Sequence, residues 1–136
     1  LHGLISNDIL VVPLRALSEL DGLKSSEDET RAAKARSAIR QLDANSSRIR
    51  HEKDHTALLP AEWDARESDH AILSTALFFR LNAVLFVSND INLRNKAKSL
   101  GLNTQDSKSY ASSRLVPAAA SEAHVQIKNK QKNKRR

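Results

Sequence analysis

Three acidic side chains stand where an α/β fold could bring them to one edge of a sheet. Asp90 follows the apolar run of residues 83–87 and precedes a basic amphipathic pattern, so it is predicted to lie at the carboxyl end of a strand, where such folds bind ligands. Glu19 falls on a predicted helix just after an apolar run, and Asp69 at the start of another helix. Clustered carboxylates repel each other unless a cation joins them, and Mg²⁺ prefers oxygen ligands. The three acids therefore predict a metal site that could hydrolyse phosphodiesters.

Each acid also has a purely structural interpretation. Asp90 could cap the helix that follows it, and Asp69 could interact favourably with the first turn of its own helix. Glu19 could be a solvated helix residue. Taken singly, each acid fits the structural interpretation better than the metal site, so the prediction depends on their convergence.

The elements that must position these acids alternate between strands and helices. The apolar and helical patterns predict, in chain order, a strand at 9–12 stopped by Pro13, a leucine-faced helix from Leu14 to Leu23, a helix at 29–42, a weak strand at 48–51, a helix at 69–81 capped by Ser68, a strand at 83–87, a helix at 91–100 closed by Gly101, and a last strand from Leu102. Strands that alternate with helices indicate a parallel sheet covered on both faces.

Phe78, Phe79 and Phe86 are predicted to lie in the core, which leaves no aromatic platform for stacking RNA bases.

Charge is unevenly distributed along the chain. The sequence has 22 Lys and Arg against 16 Asp and Glu, and six of the basic residues lie in the last nine positions. The rest of the chain is therefore neutral, and residues 111–136 are predicted to be a disordered basic tail behind a domain of residues 1–110. Such a tail could contact a polyanion or simply solubilise the terminus.

The absence of cysteine excludes disulfides, thiolate catalysis and zinc–thiolate sites.

No apolar run approaches the roughly 20 residues of a membrane helix, and the first residues lack the features of a signal peptide. We therefore expect a soluble intracellular protein, in the cytoplasm, the nucleus or both, with no membrane partner. The sequence opens on Leu1 and contains no methionine, so we expect that residue 1 is not the natural start.

Three segments, in this order, resemble the PIN domain family: VVPLRALSELDGLK, DHAILSTALFF and VLFVSNDINLRNKAKSLG. The resemblance covers residues 4–103 and is greatest to eukaryotic PIN domains of mRNA surveillance, including fungal nonsense-mediated decay proteins. It implies a three-layer α/β/α fold with a central parallel sheet. It also implies a metal-dependent endoribonuclease that cuts single-stranded RNA and has mRNA-decay proteins as partners.

The resemblance also implies roles for single residues. Asp69 and Asp90 would hold Mg²⁺ or Mn²⁺, and Glu19 would position or deprotonate the attacking water. The weaker candidates for RNA contact lie in or just after the turn that carries Asp90: Ser88, Asn89, Arg94 and Lys96. A solvated basic helix face is the alternative for the last two.

One departure from the family pattern concerns the first strand. PIN domains begin with a strand that ends in an acid, and no segment of this chain supplies it; Asp8 precedes a strand rather than ending one. That strand would lie between the strands at 9–12 and 83–87, and its loss would leave two strand edges exposed. We therefore expect the isolated chain to be unstable or prone to aggregation.

Three functions stay open from the sequence. The first is an active PIN endoribonuclease, and the second is a catalytically inactive PIN domain that acts as an adaptor in an mRNA-decay complex. The third is a plain nucleic-acid-binding module that works through the basic tail. His51 and His55 have i, i+4 spacing but fall in an irregular segment, so they are predicted to be surface residues rather than metal ligands.

Overall fold

The computed structural model describes residues 9–114, which form four short strands and five α-helices. The elements are β1 (Leu10–Pro13), α1 (Leu14–Leu23), α2 (Glu29–Ala44), β2 (Ile49–Glu52), α3 (Ser68–Phe78), β3 (Leu85–Val87), α4 (Ile91–Ser99), β4 (Asn103–Gln105) and α5 (Ser107–Arg114). Two 3-10 turns, Ser46–Arg48 and Thr56–Leu58, flank β2. None of the helices in this range is long and apolar enough to cross a membrane.

The first strand and helix join without a loop. Pro13 ends β1 and at the same time occupies the N-cap position of α1, since its fixed φ suits both conformations. α2 begins after Asp28, whose side chain accepts a hydrogen bond from the backbone N–H of Arg31 at 3.2 Å. β2 then runs parallel to β1, with Leu10 opposite Ile49 and Pro13 opposite Glu52.

The strong helix α3 begins and ends differently from the prediction. Glu67 is the N-cap residue and Ser68 is already helical, so the predicted Ser68 cap is wrong by one position. The helix ends at Phe78 rather than at residue 81, because the chain turns back through a hydrogen bond from the N–H of Asn82 to the carbonyl of Phe79. Ala83 then takes a left-handed conformation with φ of 53°.

The last βαβ unit follows the predicted pattern closely. β3 and β4 run parallel, with Phe86 opposite Thr104, and α4 connects them. Gly101 has a φ of 86°, which confirms the left-handed conformation expected after the helix. The predicted domain boundary at residue 110 falls inside α5, so residues 111–114 are helical rather than disordered. The remainder of the predicted tail lies outside the described residues.

The main core belongs to the second half of the described chain. Its buried members are Leu59, Leu73, Ala76, Leu77, Leu93, Ala97 and Leu102, with Trp63, Val84, Phe86 and Leu100 packed against them. The prediction for Phe78 is wrong, because 45% of this residue is exposed at the end of α3. Phe86 packs against the core as expected.

The α/β class with parallel strands is confirmed, but the strands form two separate pairs. β1 pairs with β2, and β3 pairs with β4. Within residues 9–114, β1 and β3 each have a single strand partner, so each keeps one edge without a ladder. The sequence prediction that a further strand belongs between β1 and β3 stays a prediction.

Candidate functional site

Glu19 lies beside the start of α3. The Ser68 hydroxyl donates a hydrogen bond to Oε2 of Glu19, so α1 and α3 meet at this point. Asp69 is the next residue of α3 and sits half-buried in the first turn, where a carboxylate interacts favourably with the helix dipole. Glu19 therefore contacts the residue that directly precedes Asp69.

Asp90 is the N-cap of α4, as its structural interpretation predicted. Its Oδ1 accepts a hydrogen bond from the N–H of Leu93 at 3.1 Å, and its own N–H donates to Oγ of Ser88 at 3.1 Å. One oxygen of this exposed carboxylate is therefore used in the cap. Capping does not exclude ligand binding, because a carboxylate has a second oxygen with its own lone pairs.

Three of the four weaker RNA candidates form hydrogen bonds that hold the turn that carries Asp90. The guanidinium of Arg94 donates to the carbonyl of Ser88 at 2.6 Å. Oδ1 of Asn89 accepts from the N–H of Ser107 at 2.9 Å, which connects this turn to the start of α5. Ser88, Asn89 and Arg94 thus hold the turn between β3 and α4 in shape.

Lys96 is also engaged within the protein. Its ammonium lies 3.2 Å from Nε2 of His70 and 3.9 Å from a carboxylate oxygen of Glu67. This part-buried lysine therefore lies against α3, and the contact with an RNA phosphate that the resemblance implies for it stays a prediction.

Asp106 is an acid that the sequence analysis missed. It comes directly after β4 as Asp90 comes after β3, so the signal of an acid at a strand's carboxyl end was present. Hydrogen bonds from Ser109, chiefly from its backbone N–H, lower the pKa of Asp106, and the charge of Arg94 adds to the effect. The carboxylate caps α5, close to the turn that carries Asp90.

The donor chemistry of the three acids suits a hard divalent cation, but their grouping does not complete a site. Carboxylate oxygens are the ligands that Mg²⁺ and Mn²⁺ prefer. Within residues 9–114, however, no group of three or more His, Cys, Asp or Glu side chains could hold a metal ion. The carboxylates of Glu19, Asp69 and Asp90 are therefore ligands of the right chemical type for such an ion. They do not form a group of three that could hold it.

The segment from His51 to His55 matches the letters of the H-E-x-x-H zinc motif but not its geometry. That motif needs a helix, which places both histidines on one face. Here His51 lies on β2, with Nδ1 at 3.2 Å from the carbonyl of Val12. His55 follows the strand, and its Nε2 lies 2.7 Å from Oε2 of Glu52. His51 is exposed as predicted, whereas His55 is half-buried and stacks on Phe78 with ring centroids 3.9 Å apart.

The described residues form an α/β domain with acids after a strand and on the helices beside it. A sequence model of the PIN domain matches residues 2–108. The chain belongs to the PIN domain family. PIN domains are generally nucleases that use divalent metals, which supports a nuclease-like role for this chain. A search of proteins with curated descriptions finds no match.

Membership of the PIN family confirms the resemblance seen in the sequence. The match includes all three segments that carried it, and with them Glu19, Asp69 and Asp90. The finer resemblance to mRNA-surveillance proteins stays a prediction. The roles assigned to single residues likewise remain predictions, which the contacts described above constrain.

Proposed function

We propose that this PIN domain is a divalent-metal-dependent endoribonuclease that hydrolyses phosphodiester bonds in single-stranded RNA, as part of RNA decay or quality control. The observation that carries the proposal is the meeting of α1 and α3, which brings the Glu19 carboxylate to Ser68, the residue before Asp69. A carboxylate that contacts the residue before another acid, at the start of a helix, suits phosphodiester hydrolysis, provided that a cation offsets the repulsion between the two acids.

Each acid has its own role in the proposal. Asp69 and Asp90 would contribute oxygens to hold Mg²⁺ or Mn²⁺, together with an acid that lies outside residues 9–114. A bound divalent ion would supply charge neutralisation at the phosphate. Glu19 accepts the proton of a water molecule as the water oxygen attacks phosphorus. The P–O bond to the leaving nucleotide then breaks, the leaving oxygen takes up a proton from solvent water, and Glu19 releases its proton to solvent.

The deciding experiment measures cleavage of an end-labelled single-stranded RNA by the full-length protein with Mn²⁺, beside an Asp90→Asn variant. Asparagine caps a helix about as well as aspartate does, so the bond to Leu93 and the fold should persist. We expect cleavage to fall at least about 100-fold because an amide is a poorer metal ligand than a carboxylate.

Asp43→Asn is the matched control. Asp43 is exposed near the end of α2, so the same change of charge there should leave cleavage unaltered. The proposal is wrong if the Asp90→Asn variant and the Asp69→Asn variant both cut RNA as fast as the unaltered protein.

A second function is an adaptor in an mRNA-decay complex, in which the PIN fold is kept without activity. The observation that favours it is the grouping of the acids, which does not reach three metal ligands within residues 9–114. In that case neither the unaltered protein nor Asp90→Asn cuts RNA, and both bind RNA or a decay protein equally. Deletion of residues 128–136, which lie outside the described range, tests whether the basic end does most of the RNA binding.

A further inference from the structure

The contact between Lys96 and His70 joins the two helices that carry Asp69 and Asp90. Lys96 lies in the second turn of α4, and its Nζ is 3.2 Å from Nε2 of His70 on α3. His70 directly follows Asp69, and Asp90 is the N-cap of the helix that carries Lys96. A single hydrogen bond therefore connects the element of one acid to the element of the other.

The imidazole of His70 is fixed in place by its surroundings. Only 8% of the residue is exposed, and its ring packs against the ring of Trp63 with centroids 4.7 Å apart. Nδ1 lies 2.8 Å from the carbonyl oxygen of Asp64, which can only accept a hydrogen bond. Nδ1 therefore donates its hydrogen to that carbonyl, and Nε2, 3.2 Å from Nζ of Lys96, is the ring atom that accepts from Lys96.

The other charge near this pair is that of Glu67. Its Oε1 lies 3.7 Å from Nε2 of His70 and 3.9 Å from Nζ of Lys96. Its side chain is 54% exposed, so its attraction for Lys96 is weakened by water. The bond between Lys96 and His70 is thus the directional contact between side chains of the two helices themselves. Just beyond the helix ends, the exposed guanidinium of Arg80 also donates to the carbonyl of Leu100, the C-cap of α4, at 3.2 Å.

Apolar packing alone does not fix the position of α4 along α3. Leu93 and Ala97 of α4 pack in the same cluster as Leu73 and Leu77 of α3. Hydrophobic contact is non-directional and tolerates small sliding movements, whereas a hydrogen bond to a buried ring nitrogen has a defined length and angle. The hydrogen bond between Lys96 and His70 therefore restricts sliding of α4 along α3, which the apolar cluster alone does not restrict.

We propose that Lys96 and His70 are positioning residues, which hold α3 and α4 so that Asp69 and Asp90 keep the spacing that the site needs. Lys96 then acts through His70 rather than by touching RNA. The catalytic consequence rests on the proposed nuclease function, whereas the structural part concerns only the two helices.

The first test separates positioning from RNA contact through the kinetics of Lys96→Met in the full-length protein. Misplacement of a catalytic group by about 1 Å can cost up to about 100-fold in rate, so we expect kcat to fall by about 10- to 100-fold with KM nearly unchanged. The affinity for RNA measured in EDTA should keep its dependence on salt. A lysine that touches a phosphate would instead raise KM and lower the slope of log affinity against log salt by about 0.7.

Lys98→Met is the matched control, because Lys98 is an exposed lysine on the same helix. It should leave kcat unchanged. Lys96→Arg should restore most of the lost rate, since a guanidinium N–H can also donate to Nε2 of His70. His70→Phe keeps a ring against Trp63 but removes the acceptor, and the double variant with Lys96→Met should be no slower than either single variant.

The second test does not depend on activity. Residual dipolar couplings of backbone amides report the relative orientation of α3 and α4, and we expect this orientation to change in Lys96→Met and His70→Phe but not in Lys98→Met. If Lys96→Met keeps the original orientation, the inference is overturned, whatever its effect on RNA. If the unaltered protein cuts no RNA, the proposed function fails, and the dipolar couplings alone decide the positioning role.

Discussion

The two halves of this PIN domain differ in how well they bury their apolar residues. The core cluster is drawn entirely from residues 59–102, including α3 and α4. The first half, which contains the elements from β1 to β2, buries little. Only α2 has buried residues there, Ala32 and Ala35, and none lies in β1, α1 or β2. A groove of about 390 Å³ opens there, lined by Val12, Leu20, Lys34, Ser37, Ala38, Gln41 and Leu42.

The candidate site includes acids from both the packed and the loose half of the domain. Asp69 and Asp90 belong to the helices of the packed half, whereas Glu19 belongs to the loose half. The loose half is attached to α3 by polar contacts: the N–H of His55 donates to Oγ of Ser74 at 2.9 Å, and the hydroxyl of Thr75 donates to the carbonyl of Lys53 at 3.0 Å. The geometry of Glu19 therefore depends on hydrogen bonds more than on a shared apolar core.

The largest stability effect should come from truncating the packed core. Leu73 is fully buried in α3, so Leu73→Ala should lower the free energy of unfolding by about 2–5 kcal/mol. Leu20 is half-buried at the open groove, and Leu20→Ala should cost about 1 kcal/mol. Urea denaturation of both variants measures the difference. Equal losses would mean that the two halves are packed equally well in solution.

A smaller effect should come from cutting the polar attachment. Ser74→Ala leaves the N–H of His55 without its acceptor in a part-buried place, which should cost about 1–3 kcal/mol. We expect amide hydrogen exchange to accelerate in β2 and α1 more than in α4, because the substitution removes one of the hydrogen bonds that attach the loose half to α3. Ser99→Ala, an exposed serine on α4, is the control. Uniform acceleration throughout would show that the halves open as one unit.

The smallest effect should appear as a change in the dependence of stability on pH. The hydrogen bond from His55 lowers the pKa of Glu52, and Arg50 adds to this. A carboxyl with a lowered pKa in the folded state stabilises the fold above its ordinary pKa, and this contribution is lost as pH falls through the folded value. Glu52→Gln should therefore lower the melting temperature at neutral pH, and its deficit should shrink between about pH 5 and pH 3.

Glu62→Gln is the matched control for this measurement, because Glu62 is exposed in the same irregular segment. It should leave both the melting temperature and its pH dependence unchanged. A constant deficit for Glu52→Gln at every pH would mean that the loss comes from packing rather than from the ionised carboxylate.

Local patterns predicted most elements of the fold, and the errors have physical causes. The leucine face of α1 and the glycine after α4 mark features that the chain forms from short-range preferences. The end of α3 was placed three residues too late, since Phe79 and Leu81 continue an apolar pattern after the backbone has turned. The core position of Phe78 was wrong for a related reason, because the last turn of a helix can point away from the core that the rest of it covers.

The family, the alternation of strands and helices, and the three acids can all be recognised in the amino-acid sequence, since these depend on residue types at fixed spacings along the chain. What surrounds those acids depends on the tertiary structure. It joined Glu19 to Ser68, directed Arg94 and Lys96 to internal partners, and divided the strands into two pairs. Such contacts connect residues up to 49 positions apart, and no periodicity along the chain encodes which distant partner a side chain will meet.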